Sequence, residues 1–117
     1  MDSLQASDAA AASVAVAPRV SLADIEAAIH FCYHFTADAA VAATKPASMP
    51  MAKGLEVLSV CILVLGNGFA VIGKSAPASP ENFDATLGRK FAYDDAVREL
   101  WPLMGFALRD RLASGAH

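Results

Sequence analysis

Three groups of residues in this sequence have side chains that could do chemistry. The first is HFCYHF, which sets His30, Cys32 and His34 in one short run. Imidazole and thiolate are zinc ligands, and histidines at i and i+4 share a helix face. A structural zinc takes four ligands, however. Only Cys61 and His117 remain among the soft donors, and neither sits in a paired motif. The histidines are therefore expected to be packing or surface groups at a helix end, with no metal and no cofactor. The second group is the carboxylates Asp84, Asp94, Asp95 and Glu99, which fall where helical periodicity is expected and read as solvated charge. Asp94 and Arg98 have the i,i+4 spacing of an exposed pair. There is no G-x-S-x-G and no Walker-type phosphate loop, and GNG at 66–68 joins two strand-like runs rather than a strand and a helix. No enzymatic activity is expected. The third group ends SPENFDATLGRK, where Arg89 and Lys90 stand near a helix start. On a helical wheel Lys90 falls in line with Val97, Trp101 and Leu108, and Arg89 borders that stripe. A basic pair at the edge of a buried face can hold an anion. Ser75 and Asn82 would supply polar contacts, so Arg89, Lys90, Asn82 and Ser75 form the candidate ligand-binding set. The plainer alternative is that both basic side chains snorkel from the core edge and pair with carboxylates of a neighbouring subunit.

The elements that must position these groups follow from periodicity. Ser21 and Asp24 fit a capping box, with Val20 and Ile25 as the hydrophobic staple around it. Leu22, Ile25, Ile29, Cys32 and Tyr33 then recur at helical spacing, which predicts a short helix over 22–34. Residues 35–54 contain Pro46, Pro50 and Gly54 and read as a long loop. LEVLSVCILVL predicts a strand over 55–65, GNG a turn, and FAVIGKS the returning strand over 69–75. From Ser79 onward the pattern is helical: Ser79 as cap, Pro80 at the first position, Glu81 on the dipole. Gly88 weakens continuity, so a short turn over 80–86 is expected before the main helix. That helix carries Tyr93, Val97, Leu100, Trp101, Met104, Leu108 and Leu112 along one stripe, with Phe91 and Phe106 on the far side. Pro102 predicts a kink or restart near Trp101.

These elements make an α+β fold: a short N-terminal helix, a β-hairpin, and a long C-terminal helix packed on the hairpin. Both faces of the first strand are apolar, and one helix layer covers only one of them. The sheet is therefore expected to be completed or covered by a homo-oligomer. Residues 1–18, rich in Ala, Ser and Val, are expected to form a flexible tail, and 19–114 a single small domain.

Composition narrows the partners. The 117 residues carry a net charge of −3 and no basic run longer than Arg89-Lys90, so DNA or RNA binding is not expected. Cys32 and Cys61 lie among apolar residues and read as buried thiols of a cytoplasmic protein. The N-terminus carries Asp2 and Asp8 where a signal peptide would be basic, and no apolar run reaches the ~20 residues of a membrane span.

The run from Cys61 to Leu112, CILVLGNGFAVIGKSAPASPENFDATLGRKFAYDDAVRELWPLMGFALRDRL, resembles the phage protein family named after gene 49 of phage N4 and gene 66 of phage Sf6. That family's pattern is a cysteine, a Leu-rich strand, N-G-F, G-x-S, P-x-N-F, G-R-K, then W-x-L-x-G and L-R. It falls here on Asn67, Gly68, Phe69, Gly73, Ser75, Pro80, Asn82, Phe83, Gly88, Arg89, Lys90, Trp101, Gly105, Leu108 and Arg109. HFTADAAVA resembles the aromatic segment and loop of longer members. Lys74 stands where an acid is commoner, and Met104-Gly105-Phe106 replaces Glu-Gly-Tyr. The resemblance implies a phage or prophage origin in a bacterial cytoplasm and no particular reaction. By analogy of class, it suggests an oligomeric, non-enzymatic accessory protein that sequesters a small nucleotide-type anion such as a host-defence signal. The alternative is a protein–protein interaction module that inhibits a host or phage protein.

Overall fold

Alternation of apolar side chains decides the centre of the molecule. A computed structural model describes residues 2–115. Its sheet contains β1 (Ile29–Thr36), β2 (Ser59–Leu65) and β3 (Ala70–Ser75), all antiparallel, in the order β1-β2-β3. The hairpin of β2 and β3 lies where the sequence predicts it. Leu65 N donates to Phe69 O (2.8 Å), Phe69 N donates to Asn67 Oδ1 (3.0 Å), and Gly68 takes φ 88°. Positive φ is what this position asks of a glycine.

The third strand is a correction. The helix expected over 22–34 ends early: α2 is Leu22–Ala28, and the chain then extends as β1. In IHFCYHF the residues Ile29, Phe31, Tyr33 and Phe35 alternate with His30, Cys32 and His34, a period of two that fits a strand. Aromatic and β-branched residues favour that state, and β2 supplies the ladder hydrogen bonds. Ile29 pairs with Leu65 and Phe31 with Val64, so the register slips at His30. This bulge lets Ile29 join the core, against which it packs. Part of the expected 35–54 loop is also ordered as α3 (Ala37–Thr44). Leu55–Val57, expected as strand, forms one 3-10 turn after Gly54, which takes φ 100°.

The Ala-rich N-terminus is not a tail here. Residues Ser3–Val14 form α1, capped by Asp2, which accepts from Gln5 N (2.8 Å) while Gln5 Oε1 accepts from Asp2 N (3.2 Å). Leu4 enters the core. Lys90 Nζ donates to Asp2 (3.0 Å), and Arg98 donates to Ser3 Oγ (3.1 Å). Asp8 accepts from Arg19 (2.8 Å) and from Leu22 N (3.1 Å), joining α1 to the start of α2. The Ser21–Asp24 capping box is present as expected.

The last helix, α4 (Ala85–Ala113), runs through Pro102 without a break, after a single 3-10 turn at Pro80–Asn82. Asp84 caps it by accepting from Leu87 N (2.9 Å). The helix packs across β2 and β3 with Ala92, Ala96, Val97 and Leu100 fully buried against Cys61 and Leu63. Close approach depends on Gly73: a methyl there would run into the carbonyl oxygen of Ala92 and the backbone nitrogen of Ala96. Trp101 Nε1 donates to Val20 O (3.0 Å), fixing the segment that leads into α2 along the helix. No helix among the described residues is long and apolar enough to cross a membrane.

Candidate functional site

Arg89 and Lys90 are adjacent in sequence, but successive helix positions diverge by about 100°. The structure separates them accordingly. Lys90 Nζ lies between Asp2 (3.0 Å) and Asp94 (3.1 Å), and the two carboxylates hold its ammonium above the ordinary lysine range. Asp94 is almost buried, so this pair joins α1 to α4 as much as it offers a charge. The expected Asp94–Arg98 pair is replaced by it. Arg89 points elsewhere, lining a cleft of about 200 Å³ with His34, Phe35, Thr36, Ser59, Phe83 and Ala85. Among the described residues it has no carboxylate partner. Ser75 and Asn82 come together in a different cleft of about 190 Å³, with Phe83, Leu87 and Phe91. The candidate set of Arg89, Lys90, Asn82 and Ser75 thus occupies three places, with Phe83 lining both clefts.

The carboxylates of α4, read from sequence as solvated charge, are largely structural. Asp84 caps the helix, Asp94 holds Lys90, and Asp95 accepts from the backbone nitrogen of Lys74 on the free side of β3 (2.9 Å). Capping the exposed edge of β3 in this way satisfies a donor that the sheet leaves unpaired.

The third strand shapes two features, one expected from the two apolar faces of β2 and one that reading β1 as a helix concealed. The first is the face of the sheet turned away from α4. Its rows are Phe31–Val64–Ala70, Tyr33–Ile62–Ile72 and Phe35–Val60–Lys74. No helix or loop among the described residues closes it off from solvent: Phe31 is 57%, Tyr33 53% and Ile72 61% exposed. The rings of Phe31 and Tyr33 stack along β1 with centroids 6.2 Å apart and planes within 8°. Lys74 is the only charged residue in the three rows, and it stands at the rim.

The second feature lies on the opposite side of β1. Cys32 Sγ is 3.4 Å from His34 Nε2 and 3.8 Å from Cys61 Sγ. His34 sits directly across from Cys61 in the ladder, and Cys32 sits diagonally. Burial and the neighbouring Cys32 push the Cys61 thiol up to about 12. Burial, and then the positive charge of Arg89, hold His34 below the usual imidazole range. Period-two spacing of His30, Cys32 and His34 was the signal for this cluster, and reading the segment as a helix concealed it.

A larger groove of about 580 Å³ runs between α2, the hairpin turn and the last turns of α4, with Phe69, Leu103, Met104 and Phe106 on its walls. Of its two arginines, Arg19 is tied to Asp8. Phe91 and Phe106 are both exposed, as their positions on the helical wheel predict.

No curated protein and no solved structure matches this chain. A family model does match residues 20–112, from the entry to α2 through to the last turn of α4, taking in the whole sheet, both clefts and the cysteine–histidine cluster. The chain belongs to the Phage protein (N4 Gp49/phage Sf6 gene 66) family.

Proposed function

We propose that this phage-family protein is a non-catalytic binding protein that works as a homodimer, joined through the open face of its sheet. The observation that carries the reading is that face itself, three apolar rows with one lysine at the rim. Contiguous exposed apolar surface of this kind marks an interaction site. A nucleic acid or an acidic peptide would find almost no charge there to pair with. A second copy finds a match in size. A two-fold axis lying along β2 in the contact plane sets the aromatic edge of each chain, Phe31 and Tyr33, over the smaller edge of the other, Ala70 and Ile72. Aligned packing of two twisted sheets is a common way to bury such faces, and a two-fold contact closes on itself.

Ile72→Glu places a carboxylate in the middle row of this contact, opposite Tyr33 of the second copy, without touching the core. The wild-type chain is expected to sediment as a dimer and the variant as a monomer with an unchanged circular dichroism spectrum. A wild-type chain that stays monomeric at high concentration, or a variant that keeps the wild-type mass, would remove the dimer reading.

A second reading, sequestration of a small nucleotide-type anion, is favoured by Arg89 alone. Its guanidinium faces a cleft with Thr36 and Ser59 and carries no carboxylate among the described residues. In native mass spectrometry with mono-, di- and cyclic oligonucleotides, Arg89→Ala is expected to abolish retention of any ligand that the wild-type chain keeps. Lys90→Ala is expected to leave retention intact, since Lys90 is already paired. Retention by Arg89→Ala would sink this assignment.

A further inference from the structure

We propose that Cys32, His34 and Cys61 form a binding site for a zinc-class cation, with the fourth coordination position open to solvent. The argument is geometric. A tetrahedral zinc with Zn–S near 2.3 Å and Zn–N near 2.0–2.1 Å spaces two thiolates ~3.8 Å apart and a thiolate and an imidazole nitrogen ~3.5 Å apart. The two sulfurs here are 3.8 Å apart, and Cys32 Sγ is 3.4 Å from His34 Nε2. All three donor atoms lie within 4.8 Å of one another. Three donors therefore already stand near the corners that one ion would need.

The fold explains why they stay there. Cys61 is on the central strand, fully buried beneath α4, and cannot swing away. Cys32 and His34 are two residues apart on β1, so both project to the same face, and ladder pairing fixes their height against Cys61. Three donors on two paired strands are more rigid than donors on a loop. Two cysteines and one histidine with an open position is also a donor set that catalytic zinc uses, whereas closed structural sites take four protein ligands. Thiolate and imidazole select zinc-like ions over magnesium or calcium, which prefer oxygen. Binding replaces the thiol protons, and two thiolates neutralise the charge of a divalent ion in this half-buried place. Arg89, which lines the adjoining cleft with His34 and acts on it electrostatically, would then place a positive charge near the ion and favour an anionic fourth ligand. The site lies on the opposite face of the sheet from the dimer contact and does not depend on it.

Cobalt(II) is the probe, because it adopts zinc geometry and reports it in colour. Purified full-length protein, reduced with a phosphine and stripped with chelator, is titrated with cobalt and then with zinc. The expected result is one cobalt per chain, a thiolate-to-cobalt charge-transfer band, and the intense visible bands of a tetrahedral site, all lost on adding zinc. Cys32→Ser and His34→Ala change exposed residues and are expected to keep the wild-type circular dichroism spectrum. Each is expected to weaken cobalt binding by more than the roughly 10–100-fold that outer-shell partners contribute. Zinc should raise the melting temperature of the wild-type chain and leave that of either variant where it was. A reduced protein with no charge-transfer band overturns the proposal, as does a band of equal strength in Cys32→Ser.

Discussion

Gly73→Ala is expected to destabilise the fold by about 3 kcal/mol, the upper end of what overpacking usually costs. The new methyl group meets the carbonyl oxygen of Ala92 and the backbone nitrogen and side chain of Ala96, so the obstruction is mostly main chain. A side chain can rotate out of the way; a helix backbone cannot. To admit the methyl, α4 has to lift from β3 at the point where Ala92 and Ala96 are fully buried, which loosens the packing of Val97 and Leu100 beside them. Gly105→Ala is the matched control. That residue lies in the same helix with nothing near its missing methyl. Replacing a helical glycine by alanine there should stabilise by about 0.5–1 kcal/mol. Urea unfolding of the two variants side by side should move the midpoint in opposite directions. An unchanged midpoint for Gly73→Ala would mean that β3 and α4 do not approach this closely.

Leu63→Ala should be almost as damaging, at about 2–5 kcal/mol. Leu63 stands at the middle of the central strand, fully buried against α4, and its neighbours are held by the sheet on one side and the helix on the other. The cavity left behind has little freedom to collapse. Its chain neighbour Ile62 points the opposite way, between Tyr33 and Ile72 on the open face. Ile62→Ala should therefore cost little when unfolding is measured at low protein concentration, and should instead weaken self-association. The pair separates what holds one chain together from what holds two. Equal destabilisation of the dilute protein by both variants would show that the outer face is covered by something within the chain.

Local signals in the sequence were legible wherever they were strong and closed over a few residues. Ser21 and Asp24 marked the start of α2, Asn67 and Gly68 marked the hairpin turn, and the apolar stripe from Tyr93 to Leu108 marked α4. β1 was misread because Ile25, Ile29, Cys32 and Tyr33 satisfy helical spacing while Ile29, Phe31, Tyr33 and Phe35 satisfy strand spacing. Only pairing with β2, a long-range fact, chooses between them. α1 was missed for a related reason. Asp2 and Gln5 form a capping box of the kind read correctly at Ser21, but the alanines that follow bury little area of their own. The helix persists because Leu4, Lys90 and Arg98 anchor it to distant parts of the chain. The site was partly legible. Arg89 does face a cleft, but a list of neighbouring residue types could not show that Asp2 reaches Lys90. Nor could it show that Cys61 meets Cys32 and His34 once the strands pair.

The anchoring of α1 has a consequence for how the protein is made. Its bonds to α4 join residues 88 and 95 positions apart, Asp2 to Lys90 and Ser3 to Arg98. Synthesis delivers a chain from its N-terminus at ~5–20 residues per second. α1 therefore leaves the ribosome well before the surface it rests on. The three strands can pair in sequence while α4 is still being added, since each is adjacent to the next. Over that interval the Ala-rich segment has only its own capping box to order it, too little for a short isolated helix in water. An early-made helix is thus among the last elements to find its place.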